Sequence, residues 1–447
     1  MALSDEIRAD FAAALSKMYQ KEVPQYGTLL KLVSEINHQI MDNGQPYHDT
    51  QHRIEVERHG AIRLGLASEL AMIRRLFAVM GMEPVGYYDL TVAGLPVHAT
   101  GFRPISPESL QRNPFRVFTS LLRLDLIQDK NLREQAERIL NNRSIFTPRC
   151  IELIEQFEAQ GGLSEEAARE FVKESLETFR WHETSTVDLA TYKALESSHP
   201  LIADVVCFKG PHINHLTPRV LDIDAAQDAM KKCGLEAKSV IEGPPPRKHL
   251  ILLRQTSFLA LEEEVAFSSG EEKGGKHRAR FGEIEQRGIA LTAKGHRLYD
   301  ELLAKSKEIA IGQPQNSQED VLAQTFATFP DDLNTLYQER LAYFRYVIRD
   351  PLQATSISTD LDSLVSSRVL SIEPITYEDF LPASAAGIFY SNLHEGHDTN
   401  QVASSDQASF EKALGCGVHQ PFDLYDGLEK SSIAECLGIL AEERKAI

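Results

Sequence analysis

The stretch HGAIRLGLASELAMIRRLFAVMGMEPVGYYD, residues 59–89, decides the fold. It begins within VERHGAIRLG, a short segment of mixed polarity that suits a strand. SELAMIRRLFAVMG then repeats apolar residues at helical spacing and stops at Gly81, a C-cap signal. MEPVGYYDLTV returns to strand character. The same order recurs at residues 215–242, HLTPRVLDIDAAQDAMKKCGLEAKSVIE. A strand through HINHLTPRVLD leads into a helix, DIDAAQDAMKKCG, that ends at Gly234, and LEAKSVIEG reads as the next strand. His59 is followed by Arg63 and His215 by Arg219, so HGAIR aligns with HLTPR. A recurrence of this kind predicts an α/β (α+β) protein with paired βαβ modules. With so few identities, chance repetition is the other reading.

Outward from the two modules the chain divides into five segments. Residues 1–50 form an N-terminal helical segment, and 51–126 hold the first module, in which FRVFTSLLRL reads as a further strand. Residues 127–200 form a helical insertion, too polar for the main core, with Gly161 and Gly162 separating two helices. Residues 201–294 hold the second module, including the apolar, β-rich HLILLRQTSFLALEE and the strand-like ARFGEIEQRGIALT. Residues 295–447 form a helical and then irregular region that closes the site, with a tail from 351 rich in turn formers.

The chain has 447 residues, 42% of them apolar and 25% charged, which is ordinary globular composition with enough apolar material for a sizeable core. Its formal charge of −18 argues against broad binding to nucleic acid or to an anionic membrane. No apolar run is long enough to span a bilayer, and the start lacks the layout of a secretion signal. Five scattered cysteines, with no CxxC pair, argue against a disulfide scaffold or a thiolate zinc site and for reduced thiols in the cytoplasm. HEGH at 394–397 has the wrong spacing for a zincin helix, and GEEKGG at 270–275 lacks the ending of a phosphate loop. Oligomeric state is left open.

The residues able to carry chemistry cluster in and near the modules. His59 and His215 hold the same place in each, so modules packed face to face would bring both imidazoles into one cleft. Each also has a bland reading, as a solvated or a core histidine. His212 lies three residues before His215 and would point to the opposite face of a strand, away from any shared metal. Glu283 and Glu285 are two apart, on one strand face with Phe281, while Ile284 lies opposite. An inward carboxylate needs a partner or a metal. On composition alone a solvated edge carrying Glu283, Glu285 and Arg287 is the reading to prefer. Gly282 would let a cofactor approach closely. Arg63 shares a strand face with His59, and Arg254 sits inside the apolar run ILLRQTSFLA. Each is either an ion-pair arginine or a binder of an anionic, dicarboxylic substrate. LPASAAGIFYSNL, residues 381–393, is either a wall against a substrate, with Ser384 as a neutral donor, or a packed loop.

These segments together resemble the 2-oxoadipate dioxygenase/decarboxylase family, formerly domain of unknown function 1338, and in particular its enterobacterial member. The resemblance rests on VERHGAIRLG, INHLTPR, LLRQTSF, RFGEIEQRG and EDFLPASAAGIF, in that order. It implies a core similar to the vicinal-oxygen-chelate (VOC) fold and to hydroxymandelate synthase. It implies Fe(2+) held by His59, His215 and Glu283, with Arg63 on the oxo acid and Ala383 and Ser384 as further substrate contacts. Arg254 is a weaker candidate for the same region. Ala383 stands where a characterised member has valine, which leaves the preferred acid open. The implied reaction takes 2-oxoadipate and O2 to 2-hydroxyglutarate and CO2. The competing readings are another metal-dependent enzyme on the same fold (an isomerase, a lyase or an extradiol-type dioxygenase) and a non-catalytic dicarboxylate-binding protein.

Overall fold

The computed structural model describes residues 1–44, 49–235, 237–238, 240–258, 263–267, 273–277, 280–349, 360–381 and 406–446. The chain groups into two compact units. The first comprises residues 1–242, 255–286 and 379–419, and the second comprises 243–254, 287–378 and 420–447.

In the first unit, helices α1 (Ser4–Glu22), α2 (Pro24–Asp42) and α3 (Gln51–Val56) lead to strand β1 (Arg58–Leu64). Helix α4 (Ala67–Val79) follows, then β2 (Glu83–Asp89), β3 (Val97–Arg103), α5 (Pro107–Arg112) and β4 (Arg116–Leu122). Helices α6 (Lys130–Asn141), α7 (Pro148–Gln160), α8 (Glu165–Phe179), α9 (Leu189–Ser198) and α10 (Pro200–Val206) separate these from β5 (Leu216–Pro218) and α11 (Ile223–Lys232). Strands β6 (Leu253–Phe258), β7 (Glu263–Ala266), β8 (Lys273–His277) and β9 (Gly282–Arg287) complete the set, with the outer ends of β6 and β9 grouped in the second unit.

The strand–helix–strand unit expected at 59–89 is present, but it does not close on itself. Strand β1 is hydrogen-bonded to β4, parallel, and the sheet order is β2-β3-β4-β1-β5. The module is therefore β–α–β–β–β. The second module repeats it in outline. An Arg219–Glu285 bridge runs parallel to β9, β9 pairs with β6, and Ala237 and Glu242 bridge antiparallel to β6 at Phe258 and Gln255. The strand expected over LEAKSVIEG is thus reduced, among the described residues, to two isolated bridges. The modules meet where β1 pairs antiparallel with β5. Helices α4 and α11 end as read from sequence, with Gly81 and Gly234 in the left-handed region at φ +64 and +75.

Alternation along the strands sorts side chains between two cores. Ile62, Leu64, Phe102, Val117, Leu121 and Ile284 pack with the first five helices other than α3 and α5, and with α7, α8 and α11. Ala61, Ala99, Phe118 and Leu122 pack on the other face with Trp181, Phe380 and helices α6, α9 and α10. The insertion at 127–200 is not peripheral, contrary to its polarity. Its helices are amphipathic, and Cys150, Leu153, Ile154, Phe171 and Phe179 lie in the helix-side core.

In the second unit a helix at Ala293–Ala310 starts on Thr292, whose hydroxyl accepts from the Gly295 amide, and β10 (Phe344–Ile348) pairs antiparallel with β11 (Leu370–Pro374). The expected irregular tail is overturned at its end. Residues Gln407–Leu414, in the first unit, and Pro421–Ala446, in the second, are helices, the latter 26 residues long despite Gly427 and Gly438. Each internal glycine costs about 1 kcal/mol. Burial of Tyr425, Ser432, Cys436 and Leu440 along one stripe offsets that cost. Among the described residues no helix is long and apolar enough to cross a membrane.

Candidate metal centre

His59 lies on the face of β1 that also carries Ala61 and Arg63, so it leaves the sheet away from the first helices. Register sets it beside Arg116 on β4 and Thr217 on β5. Its neighbour Gly60 permits this junction. A Cβ there would lie 2.6 Å from Ile213 Cδ1 and 2.9 Å from the His215 carbonyl oxygen. Without it the 213–215 segment closes on β1 and delivers His215. Strand β9 supplies the acids. Glu283 and Glu285 point one way and Ile284 points into the helix-side core, as their alternation predicts.

The three side chains meet. His59, His215 and Glu283 each offer a ligand atom within 4.8 Å of the others, and all three are buried. His59 Nε2 is 3.0 Å from Glu283 Oε1, and His59 Nδ1 is 3.1 Å from Glu285 Oε2. His215 Nδ1 is 2.9 Å from Thr217 Oγ1, and that hydroxyl donates to Glu283 Oε1 at 2.9 Å. The Gln255 amide donates to the other oxygen, Oε2, at 3.4 Å. The solvated edge favoured by composition is ruled out, because Glu283 and Glu285 are both fully buried and Arg287 nearly so. The cofactor opening expected at Gly282 is also ruled out. A Cβ at 282 would fall inside the Phe258 ring, which fills that space.

Electrostatics divides the two histidines. Burial pushes His215 down to about 4, against the pull of Glu283, so its imidazole is neutral at pH 7. Burial acts on His59 in the same sense, but Glu285 and Glu283 outweigh it and hold its pKa above the usual value. The donor set fits a divalent metal. His215 Nε2 is buried without a hydrogen-bond partner. His59 Nε2 and Glu283 Oε1 lie 3.0 Å apart, close enough that both could serve one ion. Two imidazoles and one carboxylate make a three-ligand set that leaves other positions on the ion open. Aromatic rings wall it. Phe281 stacks on His215 with centroids 4.6 Å apart, and Phe380 meets His59 edge-on at 5.3 Å.

Arg63 is part of a second buried cluster. Its Nη1 donates to Asp204 Oδ2 at 2.6 Å. The other Asp204 oxygen is 2.9 Å from His277 Nε2, and Tyr192 OH is 2.8 Å from His277 Nδ1. His212 belongs here, 3.5 Å from Asp204 and edge-on to Trp181, as its offset from His215 implied. Burial pushes His212 down to about 3, so it is neutral at pH 7. Arg254 is buried in β6, on the part of the strand grouped with the second unit. Ala383 and Ser384 lie outside the described residues.

Three contributors escaped the sequence reading. Thr217 was detectable, since it shares a strand face with His215 two residues away. Asp204 was detectable as the only acid in the apolar run PLIADVV. Gln255 carries no local signal, and only the pairing of β6 with β9 sets it beside Glu283.

With this geometry in view, comparison with known proteins is decisive. Residues 11–392 match the family described as 2-oxoadipate dioxygenase/decarboxylase. The chain belongs to that family. It is 54% identical over 443 residues to the 2-oxoadipate dioxygenase/decarboxylase of Escherichia coli (strain K12), covering 97% of this chain and 98% of that protein. To the 2-oxoadipate dioxygenase/decarboxylase of Pseudomonas putida it is 52% identical over 447 residues, covering 97% and 96%. Among solved structures, hydroxyglutarate synthase from Pseudomonas putida in complex with 2-oxoadipate superposes with a TM-score of 0.90. It is 50% identical, with 98% of this chain and 99% of that chain covered. A Shigella flexneri protein that includes the domain DUF1338 gives a TM-score of 0.88 at 52% identity, covering 97% and 100%. As in these family members, the α+β fold extends over nearly the whole chain.

Proposed function

We propose that this protein is an Fe(II)-dependent dioxygenase/decarboxylase that converts 2-oxoadipate and O2 to 2-hydroxyglutarate and CO2. The observation that carries the reading is the buried His59–His215–Glu283 group, in a chain more than half identical over nearly its full length to proteins of that activity. The reaction balances. One carbon leaves as CO2, one oxygen atom enters the new carboxylate and the other the new hydroxyl. Iron, when bound, supplies the activation of O2 and an anchor for the 2-oxo acid. We read the paired β–α–β–β–β modules as VOC-like, with the site between them.

The chain's own residues do the rest. His59, His215 and Glu283 hold the metal, and the Phe281 and Phe380 rings keep water from its surroundings. Arg63 binds a substrate carboxylate, and Asp204 holds its guanidinium in place. Ser384 is a neutral donor to the substrate, beside the smaller Ala383.

Anaerobic reconstitution with Fe(II), followed by oxygen uptake and product mass with a series of 2-oxo diacids, tests the reading. The expected result is one O2 consumed per 2-oxoadipate and a product with the mass of 2-hydroxyglutarate, carrying both atoms of labelled O2. Turnover without O2 would instead identify an isomerase or lyase. Stabilisation by the diacid with no product would identify a binding protein.

A further inference from the structure

His215 carries two ring nitrogens, and a neutral imidazole has a lone pair on only one of them. Which nitrogen that is depends on a single proton, and the hydrogen-bond partners around the ring assign its place. Thr217 Oγ1 lies 2.9 Å from Glu283 Oε1 and 2.9 Å from His215 Nδ1. A carboxylate accepts and cannot donate, so the one hydroxyl proton is committed to Glu283. The hydroxyl then faces Nδ1 with a lone pair, and Nδ1 must carry a proton to meet it. The remaining nitrogen, Nε2, is the bare one. It is also the buried nitrogen that lacks a hydrogen-bond partner.

We infer that Thr217 is a positioning residue for the metal centre: one hydroxyl orients Glu283 by donating to it and selects the His215 tautomer that presents Nε2 to the ion. The inference rests on the metal-binding reading above and adds a residue to it. Local structure makes the hydroxyl a fixed one. Thr217 is fully buried and pairs with His59 across β1 and β5, so the strand pair that carries one histidine also carries the device that sets the other. Pro218 confines Thr217 to extended backbone, and its β-branched side chain has few rotamers. Phe281, stacked on His215 at an interplanar angle of 29°, resists rotation of the ring that would exchange the two nitrogens. Gln255 engages the second oxygen of Glu283, so the carboxylate is held at both ends.

The test is the affinity of the whole metal-free protein for Co(II), read from its visible absorption bands, in Thr217→Val, Thr217→Ala, Thr217→Ser and wild type. Removing an outer partner of a metal ligand costs about 10–100-fold in metal affinity. Thr217→Val and Thr217→Ala are therefore expected to bind Co(II) that much more weakly, with altered bands. Thr217→Ser, which restores the hydroxyl, is expected to recover both. A purely structural role would lower the unfolding midpoint of the metal-free protein and leave affinity and bands alone. Should Thr217→Val fold poorly, the Ala and Ser variants still differ by one hydroxyl, and equal Co(II) affinity in those two overturns the inference. His59→Ala separates the two levels. If it binds Co(II) as wild type does, the metal site itself is misassigned. If it loses Co(II) while Thr217→Ala does not, the site stands and the role of Thr217 falls.

Discussion

Replacing Glu283 by glutamine leaves the volume of the side chain almost unchanged and removes the one anionic ligand of the triad. The amide oxygen can still accept from Thr217, now 2.9 Å from Glu283 Oε1, so the metal-free fold is little disturbed. Metal binding is a different matter. Outer partners of metal ligands are worth about 10–100-fold in affinity, and loss of a ligand costs at least the top of that range. At a free Fe(II) concentration of 100 times the wild-type Kd, bound metal stabilises the native state by about 2.7 kcal/mol. With Kd raised about 100-fold, the same concentration stabilises Glu283→Gln by only about 0.4 kcal/mol. Anaerobic urea unfolding with and without Fe(II) measures both quantities, and each metal-free protein serves as its own reference. Stabilisation of the variant equal to that of wild type would refute the assignment of Glu283 as a ligand.

Other perturbations separate the remaining roles. Arg63→Ala is expected to raise KM for 2-oxoadipate about tenfold or more, the worth of a charge-assisted contact of about 1.4 kcal/mol, while Fe(II) affinity is kept. Equal losses of both would argue against a substrate role. Asp204 is a buried acid that burial alone would push up, but Arg63 above all, with His212 and His277 beside it, holds it well below the usual carboxylate range. Its stabilisation is therefore complete above the unfolded value of about 3.9 and is lost as pH falls below it. Asp204→Asn should be less stable than wild type by about 3 kcal/mol at pH 7, with the gap shrinking below pH 4, and a gap that stays constant to pH 3 would disprove the account. Gly282→Ala drives a methyl into the Phe258 ring. Its unfolding free energy should drop by about 1–3 kcal/mol, and an unchanged urea midpoint would show that the ring yields.

The site was partly legible because two of its features are periodic. Strand alternation sets His59 with Arg63, and Glu283 with Glu285, whatever surrounds them, and the recurrence of His and Arg in two modules singles out His59 and His215, which the structure brings together. The choice between a wet edge and a buried acid pair was not legible, because GEIEQR reads the same in either setting. Burial is decided by what covers a strand, and β9 is covered by helices and strands far away in sequence. The 127–200 helices misled for the related reason that average polarity conceals a buried stripe. The tail misled because glycine is a turn signal only where packing does not hold it in a helix.

The sequence by itself determined the strand–helix–strand order of the first module, the glycines that end α4 and α11, and which side chains share a strand face, since these follow from local geometry and period. Only the tertiary structure decided that β1 pairs with β5 and that β9 runs beside Arg219, which brings Thr217 and Glu283 to the two histidines. Hydrogen bonds between distant strands set that register, and no local preference of the chain encodes them.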